Sequence, residues 1–356
     1  MSSNETFFIT GFPGFIAHRL ISRLARSSSK FILLVQPALL SRAKADLGSI
    51  AAETGRQLTD FQIVEGDISL PDLGLSESDR QLVRSQATRS FHLAALYDLA
   101  VAQDPAIRIN VDGTKNLNNL IRSLPHLRHH HHVSTCYVAG RREGSILETE
   151  LIHEAGFRNF YEESKYLSEL EAEKLKAELP VTIHRPSVVC GDSKTGETGK
   201  YDGVYYLIFY LLKWPSGLSA LNIGNHVVSL NLVPVDFVVE AMAVLAFDDN
   251  AVGKTVQLAD PRPLTTFQLF NAITTSIGDR RSKITVPQSW VVFFLMRPSA
   301  PKITGLPHNA VPYFFIKQLY DTTVSTRLLE PHGIKCPPFE SYVDKIVDFA
   351  KSHPKL

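Results

Sequence analysis

The sequence predicts an α/β fold in which a doubly wound parallel sheet is followed by a smaller C-terminal lobe. Through the first half of the chain, short apolar segments of strand character alternate with segments whose apolar residues recur at helical spacing. After Gly191, glycine and proline become more frequent and the apolar runs less regular, which indicates a second lobe. The predicted strands are Thr6–Thr10, Phe31–Val35, Phe61–Glu65, Ser90–Ala94, His130–Val138 and Val181–Val189.

A glycine turn separates the first predicted strand from the first helix. Gly11 would let the chain reverse, Gly14 would let the backbone approach a pyrophosphate, and Ala17 would allow close packing of helix on strand. This context predicts a dinucleotide site. We therefore expect an NAD(P)-binding Rossmann-like domain over residues 1–190. Residues 191–356 would form a substrate-binding lobe, with a segment near 230–247 returning to the Rossmann sheet.

Composition restricts the partners of this chain. The 37 basic and 36 acidic residues give a net charge of +1, so we expect no nucleic-acid partner and instead a small-molecule substrate. The apolar runs 204–212 and 290–296 are shorter than the roughly 20 residues that span a bilayer, so we expect no membrane span. Three widely spaced cysteines, Cys136, Cys190 and Cys336, predict a reducing, cytoplasmic compartment and no metal site.

Four consecutive histidines, His129–His132, invite a metal interpretation. Alternate side chains of a strand face opposite sides, so neighbouring imidazoles do not converge on one ion. We interpret the run as solvated imidazoles at the entrance of a strand.

Tyr161 and Lys165 lie four positions apart on a predicted helix and therefore share a face. A phenol with an ordinary pKa near 10 is a poor proton donor at neutral pH, and an adjacent ammonium is expected to lower the pKa of Tyr161 toward the working range. A strand ending in Ser134 and Thr135 would bring hydroxyls to the same region, because ligands of parallel sheets bind at the carboxyl ends of strands.

With these features the chain resembles the extended short-chain dehydrogenase/reductase superfamily over nearly its full length. The motifs that carry the resemblance are Thr10–Ala17, Gly66-Asp67, His92–Ala95, Asn110–Thr114, the Ser134-Thr135 strand end, Tyr161 with Lys165, and His184–Ser187. Ala17 stands where a third glycine is usual, and Thr135 where serine is common. Threonine supplies the same hydroxyl.

The resemblance implies a role for each matched position. Thr135, Tyr161, Lys165 and Asn110 would be catalytic, with Tyr161 as the proton donor or acceptor and Lys165 on the nicotinamide ribose. Ser134, Cys136 and Tyr97 would contact substrate. The implied cofactor-binding residues are Thr10, Gly11, Phe12, Pro13, Gly14, Phe15, Ile16, Gln36, Arg42, Asp67, Ile68, Ala94, Ala95, Tyr161, Lys165, Pro186, Ser187 and Val188.

The second predicted strand ends at Gln36 without the acidic residue that an NAD site places on the ribose, which favours NADP(H) over NAD(H). Arg42, Lys44 and Arg19 are candidate partners of a 2′-phosphate. The alternative for Arg42 and Lys44 is that they are solvated helix charges.

Within the superfamily, Val133–Gly140 and Arg185–Gly196 look most like the thioester reductase and fatty acyl-CoA reductase branch. This resemblance implies reduction of a lipophilic acyl thioester, aldehyde or ketone, and it allows a homodimer. Aromatic residues in Tyr205–Trp214 and Trp290–Phe294 would suit such a substrate, or would simply pack the lobe. The alternatives are a sugar-nucleotide epimerase, a hydroxysteroid- or flavonol-type dehydrogenase, and a non-catalytic nucleotide sensor.

Overall fold

A computed structural model describes residues 5–27, 29–213, 221–278 and 284–355. Trp214, at the end of one predicted aromatic segment, lies outside the described residues. The strands are β1 Thr6–Thr10, β2 Lys30–Val35, β3 Phe61–Glu65, β4 Arg89–His92, β5 His129–Val133, β6 Gly144–Ile146, β7 Val181–Pro186, β8 Val188–Cys190, β9 Leu221–Asn222, β10 Leu232–Pro234, β11 Thr255–Leu258, β12 Ile284–Thr285 and β13 Gln318–Tyr320.

The central element is a seven-stranded sheet in the order β11-β7-β5-β4-β1-β2-β3, in which every neighbouring pair is parallel. The strand order reverses between β1 and β4, and this reversal opens a crevice at the carboxyl ends of those strands. The predicted doubly wound α/β fold is confirmed.

Helices cover both faces of this sheet. One core packs α1, α2 and α8 against it, and the second packs α3, α5 and α6 against the other face. The helices are α1 Phe15–Ala25, α2 Leu40–Thr54, α3 Glu77–Gln86, α4 Gln103–Ala106, α5 Gly113–Arg122, α6 Phe160–Lys176, α7 Val204–Lys213, α8 Val235–Leu245, α9 Thr266–Ile277, α10 Gln288–Leu295, α11 Ala300–Thr304, α12 Thr323–Leu329 and α13 Val343–Ser352.

The C-terminal half forms a smaller body around α7, α9 and α13. Two of its elements return to the Rossmann sheet, because α8 packs in the core beside α1 and β11 pairs with β7 at the sheet edge. The boundary between the Rossmann-like domain and the substrate-binding lobe, placed between residues 190 and 191, remains a prediction. Of the described helices, none combines the length and the apolar character that crossing a bilayer requires.

Three predicted strands are shorter than expected, and the one predicted over Ser90–Ala94 ends at His92. The strand predicted over His130–Val138 ends at Val133, because the Thr135 hydroxyl accepts the Tyr137 main-chain N–H, at 3.3 Å, and caps a 3₁₀ turn. The strand predicted over Val181–Val189 is divided at Ser187. Its second part, β8, leaves the main sheet and pairs with β10.

The interpretation of His129–His132 as solvated is wrong, since all four imidazoles are fully buried. They constitute most of β5, which lies between β4 and β7 and is covered on both faces. Polar side chains of the neighbouring strands replace water: His130 Nδ1 lies 2.7 Å from the Ser90 hydroxyl, and His129 Nε2 lies 2.8 Å from the Thr182 hydroxyl. Burial lowers the pKa of His130 to about 3.

Candidate active site

A cleft of about 880 Å³ follows the carboxyl edge of the sheet and extends to the C-terminal lobe. Most of the predicted site residues line it. They are Gly11, Phe12, Pro13, Gly14, Phe15, Ile16, Gln36, Arg42, Asp67, Ile68, Ala94, Ala95, Tyr97, Ser134, Thr135, Tyr161, Lys165, Pro186, Ser187 and Val188.

The glycine turn forms one wall of the cleft. Gly11 has a φ of +94°, and a Cβ there would lie 2.7 Å from the main-chain nitrogen of Ala94. The Gly14 N–H donates to the Gly11 carbonyl at 2.8 Å, which closes the turn. No side chain caps α1 at Gly14, so the N–H groups of its first turn are available to an anion. This cradle fits the pyrophosphate of a dinucleotide.

The distal end of the cleft carries the polar groups expected for the adenosine half of that dinucleotide. The Gln36 amide donates to the Asp67 carboxylate at 2.9 Å, and the Ser69 N–H donates to the same carboxylate at 2.8 Å. Arg42 lines the cleft, and its side chain is 66% exposed.

The other two candidate cations for a 2′-phosphate are placed elsewhere. Lys44 is exposed on α2 but is not among the cleft-lining residues. Arg19 pairs with Asp192 at 2.9 Å and with Glu197 at 2.8 Å, so its charge is already balanced by the second lobe.

The three groups of the predicted catalytic set meet in the middle of the cleft. The Tyr161 phenol and the Thr135 hydroxyl face each other, close enough for Thr135 to lower the pKa of the phenol. The Lys165 ammonium, one turn along α6, donates to the main-chain carbonyl of Val133 at 2.9 Å. All three residues are buried, at 7% or less exposure, while still lining the cleft.

The electrostatics correct one expectation. Burial raises the pKa of Tyr161 above its ordinary value, and the Thr135 side chain opposes this only in part. The predicted lowering of the Tyr161 pKa by Lys165 is therefore wrong. Burial also lowers the pKa of Lys165 to about 8, against the attraction of the Glu169 carboxylate, which raises it.

Asn110 lies behind the cleft wall and is not one of its lining residues. Its carbonyl oxygen accepts the Leu96 N–H at 2.7 Å, and its amide donates to the Ser164 hydroxyl at 2.9 Å. Ser164 in turn donates to the Tyr161 carbonyl at 3.0 Å. Asn110 thus connects the loop after β4 to the first turn of α6.

Two further predicted residues do not reach the cleft. Thr10 is fully buried, and its hydroxyl lies 2.8 Å from His92 Nδ1 and accepts the Ala94 N–H at 3.3 Å. Cys136 is buried in a separate apolar cluster, where its thiol contacts the Arg185 carbonyl at 3.1 Å. Cys136 therefore does not line the cleft in which a substrate would bind.

A buried ion pair between Arg185 and Glu169 lies next to the catalytic set. The Arg185 guanidinium donates to the Glu169 carboxylate at 2.8 and 2.5 Å, and the Ser134 hydroxyl donates to the other carboxylate oxygen. Ser134 lines the cleft but directs its hydroxyl to this carboxylate. The same carboxylate acts on the pKa of Lys165, one turn away on α6.

Sequence reasoning missed the residues that the second lobe adds to the site. The Tyr313 hydroxyl lines the cleft, donates to Glu162 at 2.6 Å and accepts the Asn159 amide N–H at 2.8 Å. Lys200 lies 4.8 Å over the Tyr97 ring, and that ring meets Tyr161 edge to face at 5.1 Å. Neither Tyr313 nor Lys200 belongs to a recognisable sequence motif, so the sequence alone did not indicate that they line the site.

The remaining lining of the cleft is mixed. It includes the apolar residues Leu99, Tyr206, Leu230, Ala310 and Phe314, which we call the apolar end, and also the polar residues Asp98, Lys200, Asp202 and Asn309. Tyr206 belongs to the predicted aromatic segment 205–214. Trp290, Phe293 and Phe294 of the other segment do not line the cleft and are exposed.

This fold and this site define an extended short-chain dehydrogenase/reductase. The chain belongs to the NAD-binding family described as male sterility protein, whose model matches residues 9–242. The predicted resemblance to the thioester reductase and fatty acyl-CoA reductase branch is confirmed.

Known proteins agree with this membership. The chain is 26% identical over 277 residues to fatty acyl-CoA reductase wat of Drosophila melanogaster, covering 68% of this chain and 54% of that protein. It is 32% identical over 232 residues to hybrid PKS-NRPS synthetase pydA of Acremonium sp, covering 62% of this chain and 5% of the synthetase. The chain therefore spans about half of the first relative and a small part of the second.

A solved structure has the same fold. The terminal R domain from the myxalamid PKS-NRPS biosynthetic pathway matches with a TM-score of 0.82 at 22% identity, covering 99% of this chain and 92% of that one.

Proposed function

We propose that the protein is an NADPH-dependent reductase of a lipophilic acyl thioester, with an aldehyde as the first product. The observation that carries this proposal is that the Tyr161 phenol and the Thr135 hydroxyl face each other in a cleft that is also lined by the glycine turn and by the residues of the apolar end. A polar pair there suits a carbonyl oxygen, and the apolar end suits an acyl chain. The relative named as a fatty acyl-CoA reductase supports the same substrate class.

The residues divide the chemistry between them. When bound, NADPH supplies the hydride that reduces the carbonyl carbon. Thr135 and Tyr161 hydrogen-bond the carbonyl oxygen and stabilise the negative charge that develops on it, and Tyr161 donates the proton. Cleavage of the carbon–sulfur bond then releases the thiol and leaves the aldehyde. Lys165 holds the ribose beside the phenol.

Asn110 is a positioning residue in this proposal. Its hydrogen bonds fix both the Leu96 loop and the first turn of α6, and so the orientation of Tyr161. Burial keeps the phenol protonated at neutral pH, so the proton is present, but the raised pKa also makes the phenol a weaker acid than a free tyrosine.

The cofactor preference follows from Arg42. It is the one candidate cation of the three that lines the cleft, and its one ion pair within the described residues is a long one, with Asp46 on the same helix at 3.8 Å. The Asp67 carboxylate, which also lines the cleft, already accepts hydrogen bonds from Gln36 and Ser69. Both features favour a 2′-phosphate.

The test is to follow oxidation of NADPH on addition of long-chain acyl-CoA, and to compare it with reduction of NADP⁺ by secondary alcohols. We expect turnover with the thioester, and a loss of about a thousandfold in kcat for Tyr161→Phe with unchanged NADPH affinity. Tyr166→Phe, on the same helix but outside the cleft lining, is the matched control and should keep wild-type rates. Unchanged turnover in Tyr161→Phe contradicts the assigned role, and turnover with alcohols alone contradicts the substrate class.

A further inference from the structure

An apolar patch covers the outer face of α10. Trp290, Phe293 and Phe294 lie at helical spacing on one face and are 71%, 65% and 45% exposed, and Met296 follows at 54%. Fourteen large apolar residues are exposed among those described, and four of them fall within 290–296. Single exposed apolar side chains are common on proteins, but such a cluster marks an interaction surface.

The inner face of the same helix is well packed. Val291 and Leu295 are buried at 6% against Leu306, Ala310 and Val311. The helix is therefore held in place by its inner face, and the exposure of the outer face is part of the folded structure.

The segment of chain that contains α10 carries positive and no negative side chains, which favours an anionic partner. The stretch 284–320 contains no aspartate or glutamate, whereas it contains Arg297, Lys302 and Lys317, all exposed. This contrasts with the even balance of charge in the whole chain. The Arg297 guanidinium lies 4.5 Å over the Phe293 ring, so cation and aromatic side chains share one surface. Anionic lipid attracts such cations, and tryptophan prefers the interface between lipid and water.

The inner face of α10, opposite the patch, packs in the same apolar cluster as part of the cleft wall. Ala310 and Phe314 line the cleft, and both belong to the apolar cluster that holds Val291 and Leu295. A membrane in contact with the outer face of α10 would lie on the other side of the helix from that wall.

We propose that α10 is a docking surface for an anionic membrane, in whose interface Trp290, Phe293, Phe294 and Met296 are inserted while Arg297 contacts lipid phosphates. The helix has eight residues and lies along the membrane, as interfacial helices do. Docking would let a lipophilic substrate pass from the bilayer to the apolar end of the cleft. That last consequence rests on the proposed reductase function, whereas the docking itself does not.

Sedimentation with lipid vesicles tests the docking. We expect the wild-type protein to sediment with vesicles of phosphatidylcholine and phosphatidylserine in equal parts, and less with phosphatidylcholine alone. The double variant W290S/F293S should lose about tenfold or more in partitioning, and Arg297→Gln about fivefold. Leu58→Ser is the matched control, because Leu58 is 59% exposed and precedes β3 at the opposite edge of the sheet. It should bind as the wild type does.

Absence of wild-type binding to the anionic vesicles, or equal binding by W290S/F293S, overturns the proposal. A second outcome also contradicts the proposal: the wild type does not bind vesicles, and sedimentation velocity shows a dimer that W290S/F293S abolishes. The patch would then be an interface between two copies of the chain. Tryptophan emission gives a second measurement. The chain has two tryptophans, so in Trp214→Phe a blue shift on adding vesicles reports on Trp290 alone.

A water-soluble short-chain thioester separates the two proposals. W290S/F293S should reduce it at the wild-type rate and lose rate only on long-chain thioester presented in vesicles. If no variant and no wild-type sample reduces any thioester, the reductase function fails while the vesicle experiment still decides the docking.

Discussion

The Lys165 ammonium donates to the main-chain carbonyl of Val133, 2.9 Å away, and so ties α6 to the last residue of β5. The contact holds the ammonium against the end of β5, one helical turn along α6 from Tyr161. Burial removes water from this ammonium and brings its pKa to about 8, close to physiological pH.

A pH limit follows from that value. If protonated Lys165 is the active form, kcat/KM for reduction is expected to fall above pH about 8, by about tenfold per pH unit. Glu169→Gln removes the carboxylate that raises the pKa of Lys165, so the fall should begin at a lower pH. The measurement is a pH profile of kcat/KM for both proteins.

Glu171→Gln provides the control for this prediction. Glu171 lies on the same helix but pairs with Lys174 at 2.8 Å and is not among the groups that act on Lys165. Its profile should match the wild type. A wild-type profile that stays flat to pH 10 contradicts the role given to Lys165.

The close approach at Gly14 predicts a defect in cofactor binding. A Cβ at Gly14 would lie 2.7 Å from the Gly11 carbonyl oxygen, a main-chain atom that has little freedom to move. Gly14→Ala is therefore expected to distort the turn and to weaken NADPH binding by about tenfold or more. The measurement is the NADPH dissociation constant, with circular dichroism to verify the fold.

Gly48→Ala is the matched control for this turn. Gly48 lies inside α2, where a Cβ would meet nothing within 4 Å. The change should raise stability by about 1 kcal/mol and leave NADPH affinity unchanged. Equal affinities in Gly14→Ala and the wild type would mean that the pyrophosphate does not lie on this turn.

The cofactor preference rests on one guanidinium. Arg42→Ala is expected to weaken NADPH binding about tenfold or more and to leave NADH binding unchanged, because only NADPH carries the 2′-phosphate that Arg42 would pair. Lys44→Ala is the control, since Lys44 does not line the cleft. Isothermal titration with both nucleotides measures this, and a parallel loss for NADPH and NADH contradicts the assignment.

The sequence alone was sufficient to predict those parts of the fold and the site that depend on local periodicity. Apolar alternation located the parallel strands, and the four-residue spacing put Tyr161 and Lys165 on one face of α6. The interpretation of β5 failed, because whether a histidine is solvated depends on which strands flank it, and that is a property of the sheet order. Burial between the flanking strands lowers the pKa of His130, and the hydroxyl beside it in place of water belongs to Ser90, forty positions earlier.

The same limit applies to the second lobe. Tyr313 reaches Glu162 through a fold that brings positions 151 apart into contact, and no local pattern reports such a pair. The Glu169–Arg185 pair likewise joins a helix to a strand, so neither residue alone indicated a buried charge.

The buried histidines of β5 and β7 predict a loss of stability in acid. Burial lowers the pKa of His129 to about 4 and the pKa of His130 and His184 to about 3, against about 6.5 in an unfolded chain. Below pH 6.5 the unfolded chain binds protons that the folded protein does not, so stability is fully present above that pH and declines as the pH falls. Each such histidine contributes a slope of about 1.4 kcal/mol per pH unit between those values.

Urea unfolding at several pH values between 7.5 and 4.5 measures this dependence. His130→Gln removes one titrating group while keeping an amide that can reach the Ser90 hydroxyl. The free energy of unfolding of this variant should therefore depend less steeply on pH, by the contribution of one proton, about 1.4 kcal/mol per pH unit. His332→Gln is the control, because His332 is partly exposed and pairs with Asp248 at 3.2 Å. A wild-type stability that does not change between pH 6.5 and 4.5 would mean that these imidazoles are protonated, and therefore paired or hydrated, in the folded protein.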